Sequence, residues 1–262
     1  MDSYMSKYDN FTKEVVFIYS EYGGIADYIK YFVYFLEVCI KNNTRLYYLK
    51  TNTNFENHLM LKYDNMYITY EKYQKKKIDV KYSKDMYKLF TWSFLSLKIN
   101  EVFKFSIDVL KNSSVIFSRK DNNYITIHIR LGDSNLETDK SYIMCKNDNR
   151  ICDTEKLYKY IENHKHETIL ITSDNKAFKL KLKEKYDNVV LTNCNIGHIG
   201  LKNTTQLQVL DTLTELYIMT LSKKIIVTTD SGFSIISSYF NRIPIEFITE
   251  NARPRNFYNH II

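Results

Sequence analysis

Between residues 124 and 248 short apolar, β-branched runs alternate with helix-length segments, and this alternation limits the possible folds more than any other feature of the chain. The runs are residues 124–129, 168–172, 189–191, 225–228 and 245–248. Residues 154–164, 176–186, 206–221 and 234–239, lying between them, read as helices. Strands separated by crossover helices predict a parallel sheet with helices packed on its faces. In such a sheet all the carboxyl ends share one edge, which is where open α/β sheets hold ligands.

Three of these runs end in clusters of polar, ligand-type residues. The first runs into His128, Arg130, Gly132 and Asp133, the second into Ser173 and Asp174, and the run at 225–228 into Asp230, Ser231, Gly232, Phe233 and Ser234. Arginine offers a planar fork of donors for a phosphate. Glycine lets the backbone turn sharply and approach a ligand. Ser231 and Gly232 at a helix start can aim N–H groups at an anion. With Arg130 supplying the opposing charge, Ser231 and Gly232 describe a phosphate site. On the helix before the run at 225–228, Asp211 and Glu215 share one face. A carboxylate facing the sheet edge there could accept two hydrogen bonds from a guanine base.

The first half repeats the theme once. Residues 15–19 read as a strand, Gly23 and Gly24 as a turn, and residues 25–41 as an amphipathic helix with Asp27 in its first turn. Residues 45–49 and 67–70 read as strands, and 85–97 and 99–110 as helices. A polar stretch within 111–123 places a domain boundary there. Residues 136–150 and 193–203, the latter with Gly197, His198 and Gly200, read as loops.

Composition narrows the classes. The 262 residues are 44% hydrophobic and 26% charged, enough for one large or two smaller globular domains. The net charge of +7 favours anionic partners. Much of it lies in Lys75, Lys76, Lys77, Lys81, Lys84 and Lys88, a run that reads first as a solvated face. Cys39, Cys145, Cys152 and Cys194 form no CxxC pair, so neither a metal site nor a disulfide framework is expected. The first ten residues are polar, and no apolar run is long enough to span a bilayer. A cytoplasmic protein without a membrane span is therefore expected.

The motifs resemble those of the GDP-fucose-dependent fucosyltransferases, of the α1,2, α1,6 and protein O-fucosyltransferase branches. His128-Ile129-Arg130-Leu131-Gly132-Asp133 is similar to the family's HxRxxD motif, and Ile171-Thr172-Ser173-Asp174-Asn175 to its second motif. Glu215 to Ser222 followed by Asp230-Ser231-Gly232-Phe233-Ser234 resembles the third, and Gly23-Gly24-Ile25-Ala26-Asp27 the amino-terminal glycine turn. The resemblance implies an α/β, GT-B-like fold of two Rossmann-like domains facing across a cleft. Residues 1–115 would form the acceptor-side domain, 116–248 the nucleotide-sugar domain and 249–262 a tail. It implies inverting, metal-independent transfer of fucose or a related deoxyhexose from a GDP-sugar to a glycan or protein hydroxyl, with no cofactor. Arg130 would neutralise the departing β-phosphate. His128 and Glu215, or Asp211 instead, would hold guanine or ribose, and Asp174 would line the donor site. Ser231, Gly232 and Phe233 would cradle the pyrophosphate. Asp27 would take the acceptor's proton, with Asp133 as the alternative.

The first motif lacks the second arginine of the α1,2 and α1,6 branches, and Ala26 stands where glycine is usual. A missing animal-type anchor suits a bacterial or viral version. Competing readings are a transferase of the same fold with another nucleotide sugar, an inactive relative, and a non-catalytic module binding a polyanion through the lysine run. No nucleic-acid partner is expected.

Overall fold

The computed structural model describes residues 1–19, 23–51, 53–76, 78–86, 89–90, 96–117, 122–132, 148, 150–199 and 204–253. After α1 (Asp2–Met5), β1 (Lys13–Ile18) enters the centre of a parallel sheet with Val15, Val16 and Phe17 buried. The chain returns through α2 (Ile25–Lys41), whose buried face includes Tyr28, Ile29, Phe32, Val33 and Leu36. β2 (Thr44–Leu49) pairs with β1 from Lys13↔Thr44 to Ile18↔Leu49. A short β3 (Leu59–Leu61) precedes β4 (Tyr67–Ile68), α3 (Tyr70–Lys76), β5 (Asp79–Tyr82) and α4 (Ser83–Met86). The strand order of this sheet is β4-β2-β1-β5, all parallel.

One long helix over 99–110 does not form. The segment is α5 (Ile99–Val102), β6 (Phe103–Phe105) and α6 (Ile107–Ile116). Phe103 and Phe105 sit opposite Leu61 and Leu59 in an antiparallel ladder with β3. Ser106 then starts a new helix by accepting from the Val109 N–H at 3.4 Å. The apolar run at 115–117 is the end of that helix, with Ile116 and Phe117 buried beside Tyr124 and Ile218. Strand β5 carries no alternating apolar pattern, which is why its sequence hides it; it is held by ladder bonds at the sheet edge.

The second half follows its expected alternation: β7 (Ile125–Ile129), α7 (Thr154–Asn163), β8 (Ile169–Ser173), α8 (Lys176–Lys185), β9 (Val189–Leu191), α9 (Gln206–Met219), β10 (Lys224–Val227), α10 (Gly232–Asn241) and β11 (Ile245–Phe247). The order β11-β10-β7-β8-β9 is parallel throughout. Register sets His128 beside Thr172 and Val227, so the polar endings of β7, β8 and β10 share one edge. A single apolar cluster joins α2 and the first sheet to α9 and α10: Phe32 and Tyr48 belong to it, as do Leu213, Ile235 and Tyr239.

Candidate functional site

At the end of β7 the backbone turns through Gly132, whose φ of +103° suits glycine. Asp174, from the end of β8, clasps that turn. Its Oδ1 accepts from the Leu131 N–H at 2.9 Å and its Oδ2 from the Gly132 N–H at 3.0 Å. Arg130 Nη1 also donates to Asp174 Oδ2, while Arg130 Nη2 lies 3.3 Å from Asp148. Asp148 in turn accepts from Arg150 Nε at 2.9 Å, and Arg150 Nη1 donates to the Asp230 carbonyl. Two guanidinium groups and two carboxylates thus alternate across the sheet edge.

Two helix amino-termini close on the same place. α2 begins at Gly24, where Asp27 Oδ2 accepts from the Gly24 N–H at 3.1 Å and Asp27 Oδ1 pairs with Lys30 Nζ at 2.5 Å. Gly23 has φ +90°, and a Cβ there would stand 2.1 Å from Asp27 Oδ2, so the turn requires glycine. α10 begins after Ser231, and a Cβ on Gly232 would stand 3.2 Å from the Ala26 Cβ. The small residues at 26 and 232 therefore let the two termini approach. Unpaired N–H groups and the helix dipole make each terminus favourable to an anion.

Between them lies a cavity of about 520 Å³, within the roughly 300–1,000 Å³ range of small-molecule sites. Gly24 and Asp27 line one side, His128, Arg130, Ser173 and Asp174 another, and Asp230, Ser231, Gly232 and Phe233 a third. Glu215 reaches it from α9. Gly23, Gly132 and Ser234 support the wall without lining it. Asp211 does not line it either: its carboxylate accepts from Asn112 Nδ2 at 3.0 Å and from the Asn195 N–H at 2.9 Å. Asp133 and Cys145 lie outside the described residues. Cys39, Cys152 and Cys194 are free thiols.

His128 is buried and hydrogen-bonded through Nδ1 to Ser234 Oγ at 2.6 Å, with the Phe233 ring centroid 5.5 Å away. Burial, and then the nearby Arg130, Arg150 and Lys179, push its pKa down to about 3, so the imidazole is neutral. Glu215 is buried opposite Lys179, at 3.7 Å between Nζ and Oε1, and accepts from Thr192 Oγ1 at 2.6 Å. Burial, with Asp211 adding to it, holds the Glu215 carboxyl above its ordinary range, and Lys179 and Thr192 offset only part of that rise.

Sequence reading missed Arg150, Lys30, His198 and Thr212, which also line the cavity. Lys30 carried a signal, standing one helical turn beyond Asp27. Arg150 carried none, because only tertiary structure brings it back to the sheet edge. The lysine run is elsewhere engaged: Lys75 pairs with Glu71 and Lys76 with Glu14, while Lys77 and Lys88 lie outside the described residues. Among the described residues no group of three or more His, Cys, Asp or Glu side chains could hold a metal ion, and no helix is long and apolar enough to cross a membrane.

The fold is that of the fucosyltransferase structures, a mixed α/β fold with parallel sheets. An Arg-to-Lys variant of Arabidopsis thaliana FUT1 in complex with GDP is 10% identical, at a TM-score of 0.56, covering 94% of this chain and 74% of that one. Bradyrhizobium NodZ is 8% identical with a TM-score of 0.56, covering 86% and 93%. POFUT1 in complex with GDP is 10% identical with a TM-score of 0.50, covering 90% and 98%. No family profile and no curated protein sequence matches the chain.

Proposed function

We propose that the protein is a glycosyltransferase that moves a fucosyl or related deoxyhexosyl group from a GDP-sugar to a hydroxyl of a glycan or protein. The observation that carries this reading is the cavity where the amino-termini of α2 and α10 face Arg130 and Arg150. Such an arrangement suits a diphosphate. The likeness to solved fucosyltransferases holding GDP supports the same donor. In this reading the two parallel sheets are the two lobes of a GT-B transferase, divided near residue 115, and donor and acceptor meet between them.

The reaction is an inverting displacement: the acceptor oxygen bonds to the sugar's C1 as the C1–oxygen bond to the β-phosphate breaks. Negative charge grows on the departing GDP, and fixed donors stabilise it. Asp174 is committed to two backbone N–H groups, so the diphosphate takes the place of Asp148 beside Arg130 and Arg150. Arg150 then supplies the second guanidinium that the first motif lacks. Asp27 accepts the proton from the attacking hydroxyl, with Lys30 orienting its carboxylate. Charge stabilisation by arginines and helix termini makes the chemistry metal-independent.

Titration with GDP, UDP and ADP, followed by incubation with labelled GDP-fucose and an acceptor library with and without EDTA, tests this. GDP binding and EDTA-resistant transfer are expected. Binding of UDP without GDP would remove the guanine argument, and GDP binding without turnover on any acceptor would favour an inactive relative. Arg130→Ala and Arg150→Ala should each lower transfer by about 10²–10³.

A further inference from the structure

Resting on the nucleotide-sugar reading, we propose that Lys179 is a positioning residue that holds Glu215 as an ionised, inward-facing carboxylate and thereby selects a base with adjacent N–H donors. Lys179 lies on α8, whose other lysines, Lys176, Lys181, Lys183 and Lys185, are exposed, yet its own side chain is only 4% exposed. A lysine buried to that degree needs a partner. The partner is Glu215, whose side chain is 3% exposed. A leucine would fill the position at no cost in desolvation, so the charge has a use other than packing.

The pair stands where two cavities meet. Glu215 lines the 520 Å³ cavity, and Lys179 lines an adjoining one of about 340 Å³. Ser173, Asp174 and Ile196 border both. Both contacts to Glu215 fall on Oε1, from Thr192 at hydrogen-bond distance and from Lys179 at ion-pair distance. A carboxylate has about four acceptor directions, so Oε2 and part of Oε1 remain for a ligand. Guanine presents a ring N–H and an exocyclic amine side by side, both donors. Adenine sets a donor beside an acceptor, and uracil sets one N–H between two carbonyls. Only an ionised carboxylate accepts both guanine donors; a protonated one turns an O–H towards the base.

Every neighbour that faces Glu215 bears on that ionisation. Asp211, one turn back on α9, opposes it. His128 on β7 is neutral, and burial keeps the Cys194 thiol protonated. The balance on Glu215 therefore lies between burial and Asp211, which favour the neutral acid, and Lys179 and Thr192, which favour the carboxylate.

The test is calorimetric titration of the full chain with GDP and ADP from pH 5 to pH 9, for the unsubstituted protein, Lys179→Met, Lys179→Arg and Glu215→Gln. With Lys179→Met, the acid limb of GDP binding should rise by about one to three pH units. Affinity at acid pH should fall about tenfold per unit and recover at high pH. Lys179→Arg should restore the limb towards its original place. Glu215→Gln, nearly isosteric, should bind GDP weakly at every pH, and adding Lys179→Met to it should change little. An unaltered pH profile for Lys179→Met, or a pH-independent loss that arginine does not rescue, overturns the proposal. If Lys179→Met does not fold, Lys179→Gln takes its place, and an acid limb left where the unsubstituted protein has it overturns the proposal. Failure of the unsubstituted chain to bind GDP would instead defeat the nucleotide-sugar reading itself.

Discussion

Asp174 does more at the site than its place in a motif suggests. It satisfies the Leu131 and Gly132 N–H groups and neutralises Arg130, so the turn after β7 depends on it. Breaking such a buried pair leaves both an unpaired charge and unmet donors, and Asp174→Ala should cost about 3–5 kcal/mol in urea unfolding. Asp174→Asn keeps an acceptor and should cost less. His128 makes a second residue-level prediction. Its folded pKa is depressed by burial to about 3, from the 6.5 usual for histidine. Above pH 6.5 the imidazole is neutral folded or unfolded, and its full contribution is present. As pH falls towards 3 the unfolded chain takes the proton and the folded one does not, so that contribution is lost. The loss approaches about 1.4 kcal/mol per pH unit across this window. In NMR titration the His128 ring should not titrate between pH 5 and pH 8; a midpoint near 6.5 would show the ring is not buried as described.

At the scale of elements, the amino-termini of α2 and α10 border the cavity where the proposed diphosphate would sit, and glycine decides how near they come. Gly23→Ala meets both a left-handed φ and the Asp27 carboxylate, and should cost about 1–2 kcal/mol in thermal unfolding. Gly232→Val should act differently. Its backbone needs no glycine, but its side chain would push against Ala26, so the melting temperature should move little while transfer falls about tenfold to a hundredfold. Equal, large losses of stability in both variants would contradict this division. These elements also show what a sequence can and cannot convey. The endings of β7, β8 and β10 were legible because β-branched runs break abruptly into His128, Ser173 and Asp230 segments, and a parallel sheet must align them. The segment from Ile99 to Leu110 was not, because Phe103 and Phe105 fit a helical stripe as well as a ladder, and only pairing with Leu61 and Leu59 decides between them. Arg150 was hidden for the same reason: its role depends on a contact with Asp230, which lies across the sheet edge.

At the scale of the whole molecule, the two sheets share an interior. α2, between strands of the first sheet, packs on α10 of the second, and α6 packs along α9. Phe105 stacks on Phe240, with ring centroids 4.9 Å apart, and meets Tyr217 at 5.2 Å. Asn100 Nδ2 donates to Asn241 Oδ1 at 2.8 Å, and Arg242 Nη2 donates to the Ser96 carbonyl at 2.6 Å. Lobes joined only by a linker would unfold separately, whereas lobes whose apolar faces cover each other expose both when either opens. Calorimetry should therefore give one transition, with calorimetric and van't Hoff enthalpies agreeing. Phe240→Ala removes a ring from the shared face and should lower that single transition by about 3–5 kcal/mol without splitting it. Two separated transitions in the unsubstituted protein would show that the contacts across the halves are too weak to couple them. Coupling of this kind also constrains the site, since the cavity walls come from both halves: if the proposed nucleotide-sugar reading holds, GDP should raise the one transition, with half of the chain stabilised through the other.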